Sequence, residues 1–192
     1  MPEAQSMRCE LILGGQKSGK SRRAEETARQ WLAAAPGHRA VLVATAQAWD
    51  AEMAERIARH RVDRAARAPG LATLEEPLAL AHAITRLSRP DTLVVVDCLS
   101  LWLTNLLMPA DPGAAIGDAG RESAQLADAV RAAPGPLVLV SNEIGLGVIP
   151  MGREVRAFVD ALGQLNQAMA RACDHVTLMA AGLPLALKGG TP

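Results

Sequence analysis

Cys9-Glu10-Leu11-Ile12-Leu13-Gly14-Gly15-Gln16-Lys17-Ser18-Gly19-Lys20-Ser21 sets a short apolar run directly before a glycine-rich loop. The residues Gly14 to Ser21 match G-x-x-x-x-G-K-S/T, and the pattern has both flanks it needs: an apolar strand before it and an amphipathic helix after it. Each residue type has a physical task. Glycines let backbone N–H groups curl round phosphate oxygens, and the helix N-terminus adds partial positive charge. The Lys20 ammonium neutralises phosphate charge, and the Ser21 hydroxyl is placed to ligate Mg²⁺. Such a loop binds a nucleoside triphosphate. A chance match, or a loop kept only for structure, is the competing reading.

Working outward, apolar runs rich in Val, Leu and Ile alternate with longer helical patterns, as parallel strands covered on both faces by crossover helices do. Strands are expected at about Cys9 to Leu13, Val41 to Ala44, Leu93 to Asp97, Leu137 to Ser141 and Val176 to Ala180. Ser21 to Ala35 and Gly152 to Cys173 carry apolar stripes at three- and four-residue steps. Weaker helices are expected at Asp50 to Val62, Pro77 to Leu87 and Gly120 to Ala132. Pro109 to Gly120 reads as a mobile loop and Gly189 to Pro192 as a fraying end. The expected fold is therefore α/β, a P-loop NTPase-like (RecA-like), mostly parallel sheet flanked by helices, with residues 1–192 forming one domain.

Composition narrows the function classes. Twenty Lys and Arg balance twenty Asp and Glu, so no global positive field favours nucleic acid or an anionic membrane, and an anion must be bound locally. Phe, Trp and Tyr supply only 2% of residues, so the core must be built from aliphatic side chains. Cys9, Cys98 and Cys173 show no metal-binding spacing, and their odd number predicts buried free thiols. The first residues lack the apolar region of a signal peptide, and no run is long enough for a membrane span, so a soluble cytoplasmic protein is expected.

Two further groups of residues carry chemistry. Asp97, ending the run Leu93-Val94-Val95-Val96, has the form of the acid that serves Mg²⁺ or the nucleotide beside a phosphate loop, and equally that of a strand-terminal cap. In Asp50 to Arg64, His60 lies on a helix with Arg56 one turn before it and Arg64 one turn after, flanked by Arg59 and Arg61. Neighbouring cations disfavour imidazolium, and a neutral imidazole can attack an α-phosphorus to give a phosphoramidate. An ordinary histidine on a solvated basic face, paired with Glu52 and Glu55, is the alternative. Asn142 and Glu143 follow a strand end, where open α/β sheets place ligands. Their role stays open between supporting the site, binding substrate and forming a turn.

The ordered segments GGQKSGKS, ATA at 44–46, E-M-x-x-R-I-x-x-H-R at 52–61, VVVDCLSLWLTNLL, S-N-E-x-G-x-G at 141–147 and G-L-P-L at 182–185 resemble one family over nearly the whole chain. That family is the bifunctional adenosylcobinamide kinase/adenosylcobinamide-phosphate guanylyltransferase of cobalamin biosynthesis. The resemblance implies phosphoryl transfer from ATP or GTP to adenosylcobinamide, then transfer of GMP from GTP to adenosylcobinamide phosphate, with release of pyrophosphate. It implies that His60 carries GMP covalently. The nucleotide-contacting set it implies is Gly14, Gly15, Gln16, Lys17, Ser18, Gly19, Lys20 and Ser21, with Ala44, Thr45, Ala46, Arg61, Val62, Asp63, Arg64, Glu75 and Asp97. Ser21 and Asp97 would hold Mg²⁺, and a homotrimer is expected.

The chain departs from the family pattern at Ala65 to Pro77, AARAPGLATLEEP, which lacks the family's Trp and leaves Glu75 and Glu76 as competitors for one position. The base or corrin contact given by that Trp is either missing here or supplied by Trp49 or Trp102. Two rival functions remain. One is a small-molecule kinase in which His60 is idle, and the other is a GTP-binding switch reporting through the loop at 109–120.

Overall fold

The structure, a computed structural model, describes residues 8–48, 50–109 and 116–190. It opens with β1 (Cys9–Gly14), α1 (Lys20–Ala34), β2 (Arg39–Ala44), α2 (Ala51–Arg67), β3 (Ala72–Glu75) and α3 (Leu80–Leu87). There follow β4 (Thr92–Asp97), α4 (Leu99–Leu107), α5 (Ala119–Ala132), β5 (Leu137–Val140), α6 (Arg153–Ala172), β6 (His175–Ala180) and β7 (Leu183–Lys188). The seven strands form one sheet in the order β3-β2-β4-β5-β1-β6-β7, parallel except for β7.

Strand alternation divides the core. Leu11, Leu13, Val43, Val94, Val96, Leu137 and Leu139 face α3, α4, α5 and α6. Ile12, Leu42, Val95, Val138 and Val140 face α1, whose buried Ala24 and Ala28 admit the helix close to the sheet. Both faces are covered, so β1, β4 and β5 are apolar at nearly every position. Glu10 is the buried charge among them. Its buried carboxylate accepts from Arg23 Nε at 2.9 Å and Thr177 Oγ1 at 2.7 Å, which ties α1 to β1 and β6 through a paired charge.

The registers Ala44 with Asp97, Ala44 with Glu75, and Asp97 with Val140 align the C-terminal ends of the parallel strands along one edge. Parallel topology therefore carries Gly14, Thr45, Glu75, Asp97 and Ser141 to the same rim, the side on which such sheets place ligands.

The five expected strands and five expected helices are present, with shifted ends. α2 continues to Arg67 rather than stopping at Val62, because Arg67 reaches Glu25 of α1 at 3.1 Å and Asp63 at 3.2 Å. Three elements were not anticipated: the short edge strand β3, the apolar α4 and the return strand β7. The expectation of three free thiols is corrected. Cys9 and Cys173, far apart in sequence, meet as a disulfide pair with Cα atoms 4.7 Å apart, because α6 delivers Cys173 to the start of β1; only Cys98 is free. Of the expected loop at 109–120, residues 110–115 lie outside the described residues, and Asp118 caps α5 by accepting from Arg121 N at 3.0 Å. Thr191 and Pro192 of the expected fraying end also lie outside them. Among the described residues, no helix is long and apolar enough to cross a membrane.

Candidate active site

The loop after β1 is held by backbone. Gly14 (φ 151°) passes so close to β6 that a Cβ there would stand 2.5 Å from the Met179 carbonyl oxygen. Gly19 (φ 104°) turns the chain into α1, so the first N–H groups of that helix face the loop. The β6–β7 turn closes in from the far side, where Gly182 N–H donates to Ser18 O at 3.0 Å. Lys20 Nζ donates to Gly14 O at 3.0 Å and Gly15 O at 2.6 Å. Burial lowers the pKa of this ammonium, and nearby Cys98 and Asp97 oppose the shift. Ser18 Oγ is buried without a hydrogen-bond partner among the described residues, and Ser21 is half-buried at the first turn of α1.

Asp97 ends β4 beside Ala44 and Val140, half-buried. Thr45 is fully buried, and its hydroxyl both donates to Cys98 O at 2.7 Å and accepts from Cys98 N–H at 2.9 Å. The hydroxyl therefore pins the end of β4 to β2. Asn105 of α4 donates to Thr45 O at 2.8 Å and Pro77 O at 3.1 Å, fixing the same rim from below. Burial and the neighbouring Asp97 push the Cys98 thiol up to about 11, so it stays neutral.

α2 starts where Asp50 accepts from Met53 N at 2.7 Å, and it lies largely in solvent, with Arg64 as its buried residue. His60 is exposed and makes no side-chain hydrogen bond among the described residues. The adjoining Arg61 forms an ion pair with Glu75 at the C-terminal end of β3. Asp63 is engaged with Arg67, and Val62 points to solvent. Glu75 and Glu76 are now separated by what they touch. Glu76 accepts from Leu78 N at 3.1 Å and Ala79 N at 2.8 Å, so it holds the turn that leads into α3. Glu75 is the one that faces the basic helix.

Of the alternatives for the aromatic contact, Trp102 is removed by its place in the core. Its ring is buried among α4 packing residues and its Nε1–H donates to Leu78 O at 2.8 Å, a core role. Trp49 lies outside the described residues. Sequence reasoning missed Asn105 and the Ala181–Gly182 turn. A polar residue inside the apolar run LSLWLTNLL, and a glycine inside AAGLPL, are the signals that could have found them.

Residues 10–187 match the family model described as cobinamide kinase / cobinamide phosphate guanyltransferase. The chain belongs to this family. It is 49% identical to the bifunctional adenosylcobalamin biosynthesis protein CobP of Pseudomonas aeruginosa, over 94% of this chain and 97% of that protein. It is 36% identical to the protein CobU of Salmonella typhimurium and 33% identical to CobU of Escherichia coli, each over 93% of this chain and 98% of the relative. In structure it resembles the flagellar accessory protein FlaH of Methanocaldococcus jannaschii, with a TM-score of 0.53 over 96% of this chain and 81% of that one. At 12% identity this likeness speaks for the fold alone, a P-loop NTPase-like α/β sheet.

The residues present fit the nucleotide that a cobinamide kinase / cobinamide phosphate guanyltransferase uses. The loop offers the first N–H groups of α1, the Lys20 ammonium and the unpartnered Ser18 hydroxyl, all donors suited to phosphate oxygens. Among the described residues no group of three or more His, Cys, Asp or Glu side chains could by itself hold a metal ion. One hydroxyl and one carboxylate, such as Ser21 and Asp97 on this rim, would suffice as protein ligands for Mg²⁺, whose shell phosphates and water complete.

Proposed function

We propose that this protein phosphorylates the hydroxyl of adenosylcobinamide with ATP or GTP. It then transfers GMP from GTP, through a covalent guanylyl-histidine at His60, to adenosylcobinamide phosphate, giving adenosylcobinamide-GDP and pyrophosphate. The observation that carries this reading is the Arg61–Glu75 pair. It draws the helix bearing His60 to the rim where the phosphate loop and Asp97 end.

In the first half of guanylyl transfer, an imidazole nitrogen of His60 forms a bond to the α-phosphorus, the α–β bridging P–O bond breaks, and pyrophosphate leaves with the electron pair. In the second, an oxygen of adenosylcobinamide phosphate attacks the same phosphorus, the P–N bond breaks and the imidazole is regained. Arg61 and Arg64 balance charge on the departing pyrophosphate. Gly14 to Ser21 cradle the phosphates, and Ala44 to Ala46, Val62, Asp63 and Glu75 border the nucleotide. Ser21 and Asp97 hold Mg²⁺, which neutralises phosphate charge when bound. Thr45 takes part by holding this rim in place, since its hydroxyl is engaged with Cys98, its N–H with Asp97 O and its carbonyl with Asn105. On the family resemblance the enzyme is read as a single-domain, cytoplasmic homotrimer.

The test is incubation with Mg²⁺ and GTP labelled on the α-phosphate, followed by denaturation, for wild type and His60→Ala. Label that is acid-labile, base-stable and lost in His60→Ala is the expected result. Folded, GTP-binding wild type that retains no label would leave a kinase in which His60 is idle.

A further inference from the structure

β5 lies between β1 and β4, so the chain leaving its C-terminal end emerges between the phosphate loop and Asp97. That chain is fixed from several sides. Ser141 N–H donates to Ile12 O at 3.0 Å, Glu143 N–H donates to Gly14 O at 3.0 Å, and Asn142 N–H donates to Ser100 Oγ at 2.9 Å. Buried Asn166 of α6 accepts from Ser141 Oγ at 2.7 Å and donates to Asn142 O at 3.0 Å. The Glu143 carboxylate is thereby held beside the loop. Its Oε1 accepts from Gly145 N–H at 2.7 Å, which sets its orientation.

Two cavities meet at this carboxylate. One, of about 380 Å³, is lined by Gly15 to Ser18 and the end of β6. The other, of about 450 Å³, runs away from the loop between α6 and β7 past Gln167 and Leu187. Glu143 and Leu146 border both. Leu146 is 82% exposed, and Gln167 is exposed too. A space that begins at the phosphates and continues as an apolar, amide-bearing groove suits an acceptor whose hydroxyl is attached to a large ring edged with carboxamides.

We propose that this double cavity seats adenosylcobinamide and that Glu143 is the general base of the phosphoryl transfer, an inference that rests on the kinase half of the proposed function. The acceptor hydroxyl oxygen forms a bond to the γ-phosphorus, and the bond from that phosphorus to the β–γ bridging oxygen breaks. The nucleoside diphosphate leaves with the electron pair, and the hydroxyl proton passes to the Glu143 carboxylate and then to water. The guanylyl step needs no such base, because the acceptor phosphate oxygen is already ionised.

The test uses the full chain with Mg²⁺, ATP and adenosylcobinamide, comparing wild type with Glu143→Gln, Glu143→Asp and Leu146→Asn. Glu143→Gln should lower kcat for phosphoryl transfer by about 10²–10⁴-fold, abolish the acid limb of its pH profile and move the KM for ATP by less than about threefold. Glu143→Asp should recover part of kcat. Guanylylation of supplied adenosylcobinamide phosphate should fall at least tenfold less than phosphoryl transfer does. Leu146→Asn, at an exposed position, should raise the KM for adenosylcobinamide by about tenfold through lost apolar contact. Equal losses in both steps, a raised KM for ATP, or a Glu143→Gln enzyme within threefold of wild type would overturn the assignment. Wild type that transfers no phosphoryl group to adenosylcobinamide would instead sink the kinase reading itself.

Discussion

Thr45→Val tests whether the buried hydroxyl, rather than strand pairing alone, holds the end of β4. Valine keeps the shape of threonine while removing the group that accepts from Cys98 N–H at 2.9 Å and donates to Cys98 O at 2.7 Å. Thr45 and Cys98 are both buried, so water cannot replace these bonds. One lost bond and one buried N–H left without an acceptor together cost about 2–4 kcal/mol. For a chain of 192 residues this corresponds to a fall in Tm of about 5–12 °C. Thr45→Ser retains the hydroxyl and loses one methyl group, a cost of about 0.5–1.5 kcal/mol. The bond from Asn105 to the Thr45 carbonyl is untouched by either change. Thermal unfolding followed by circular dichroism gives the ordering, with wild type most stable, serine close behind and valine well below. Because Asp97 adjoins Cys98, kcat for phosphoryl transfer should fall about 10²-fold in the valine variant as the carboxylate shifts by an ångström or so. A valine variant within about 2 °C of wild type, or a serine variant as unstable as valine, would refute the role given to the hydroxyl.

Glu75→Ala and Glu76→Ala should separate cleanly. Removing the Glu76 carboxylate, which accepts from two backbone N–H groups in the turn before α3, costs about 1 kcal/mol and lowers Tm by about 2–4 °C with nucleotide affinity intact. Removing the exposed Glu75 leaves Tm within about 2 °C and weakens guanylylation of His60 as Arg61 loses its anchor. For Lys20, the folded pKa lies below the ordinary lysine value, so the neutral amine builds up before pH 10.5. Affinity for GTP, followed by calorimetry, should therefore decline on the alkaline side below that pH. The free protein should gain stability over the same window, because the unfolded chain binds more protons there and the penalty of a buried ammonium is relieved. Lys20→Met should abolish both slopes.

The sequence carried most of what is local. The apolar runs at Leu11, Val94 and Val138 are strands because both sheet faces are covered, and a run with no polar face announces that condition directly. The phosphate loop was legible because its whole motif lies within the eight residues Gly14 to Ser21, although Met179 and Gly182 that pack against it do not. Apolar periodicity fails where neighbours decide. α4 is apolar on nearly all sides because it is packed against α5 and α6, and β3 is short and mostly exposed because it is a sheet edge. β7 is exposed along most of its length, and Pro184 is tolerated there because an edge strand does not need every N–H. The Cys9–Cys173 pairing depends on where α6 ends relative to β1, which no spacing rule states.

The role of Glu143 shows why strand order matters beyond the fold. From its position in S-N-E-I-G alone, a turn residue and a residue that supports the site or binds substrate are equivalent readings, because both put a carboxylate after a strand. What separates them is that β5 inserts between β1 and β4, so the residues after it must emerge between Gly14 and Asp97 rather than at a sheet margin. Had β5 paired outside β6, the same carboxylate would lie two strands from the phosphates and could not reach an acceptor hydroxyl there. The hydrogen bond from Glu143 N–H to Gly14 O makes this placement physical, because the backbone that forms the phosphate loop also fixes the carboxylate beside it. Any change that loosens that bond should therefore disturb phosphoryl transfer through both the loop and the base. A substitution confined to the Glu143 carboxylate should disturb it through the base alone.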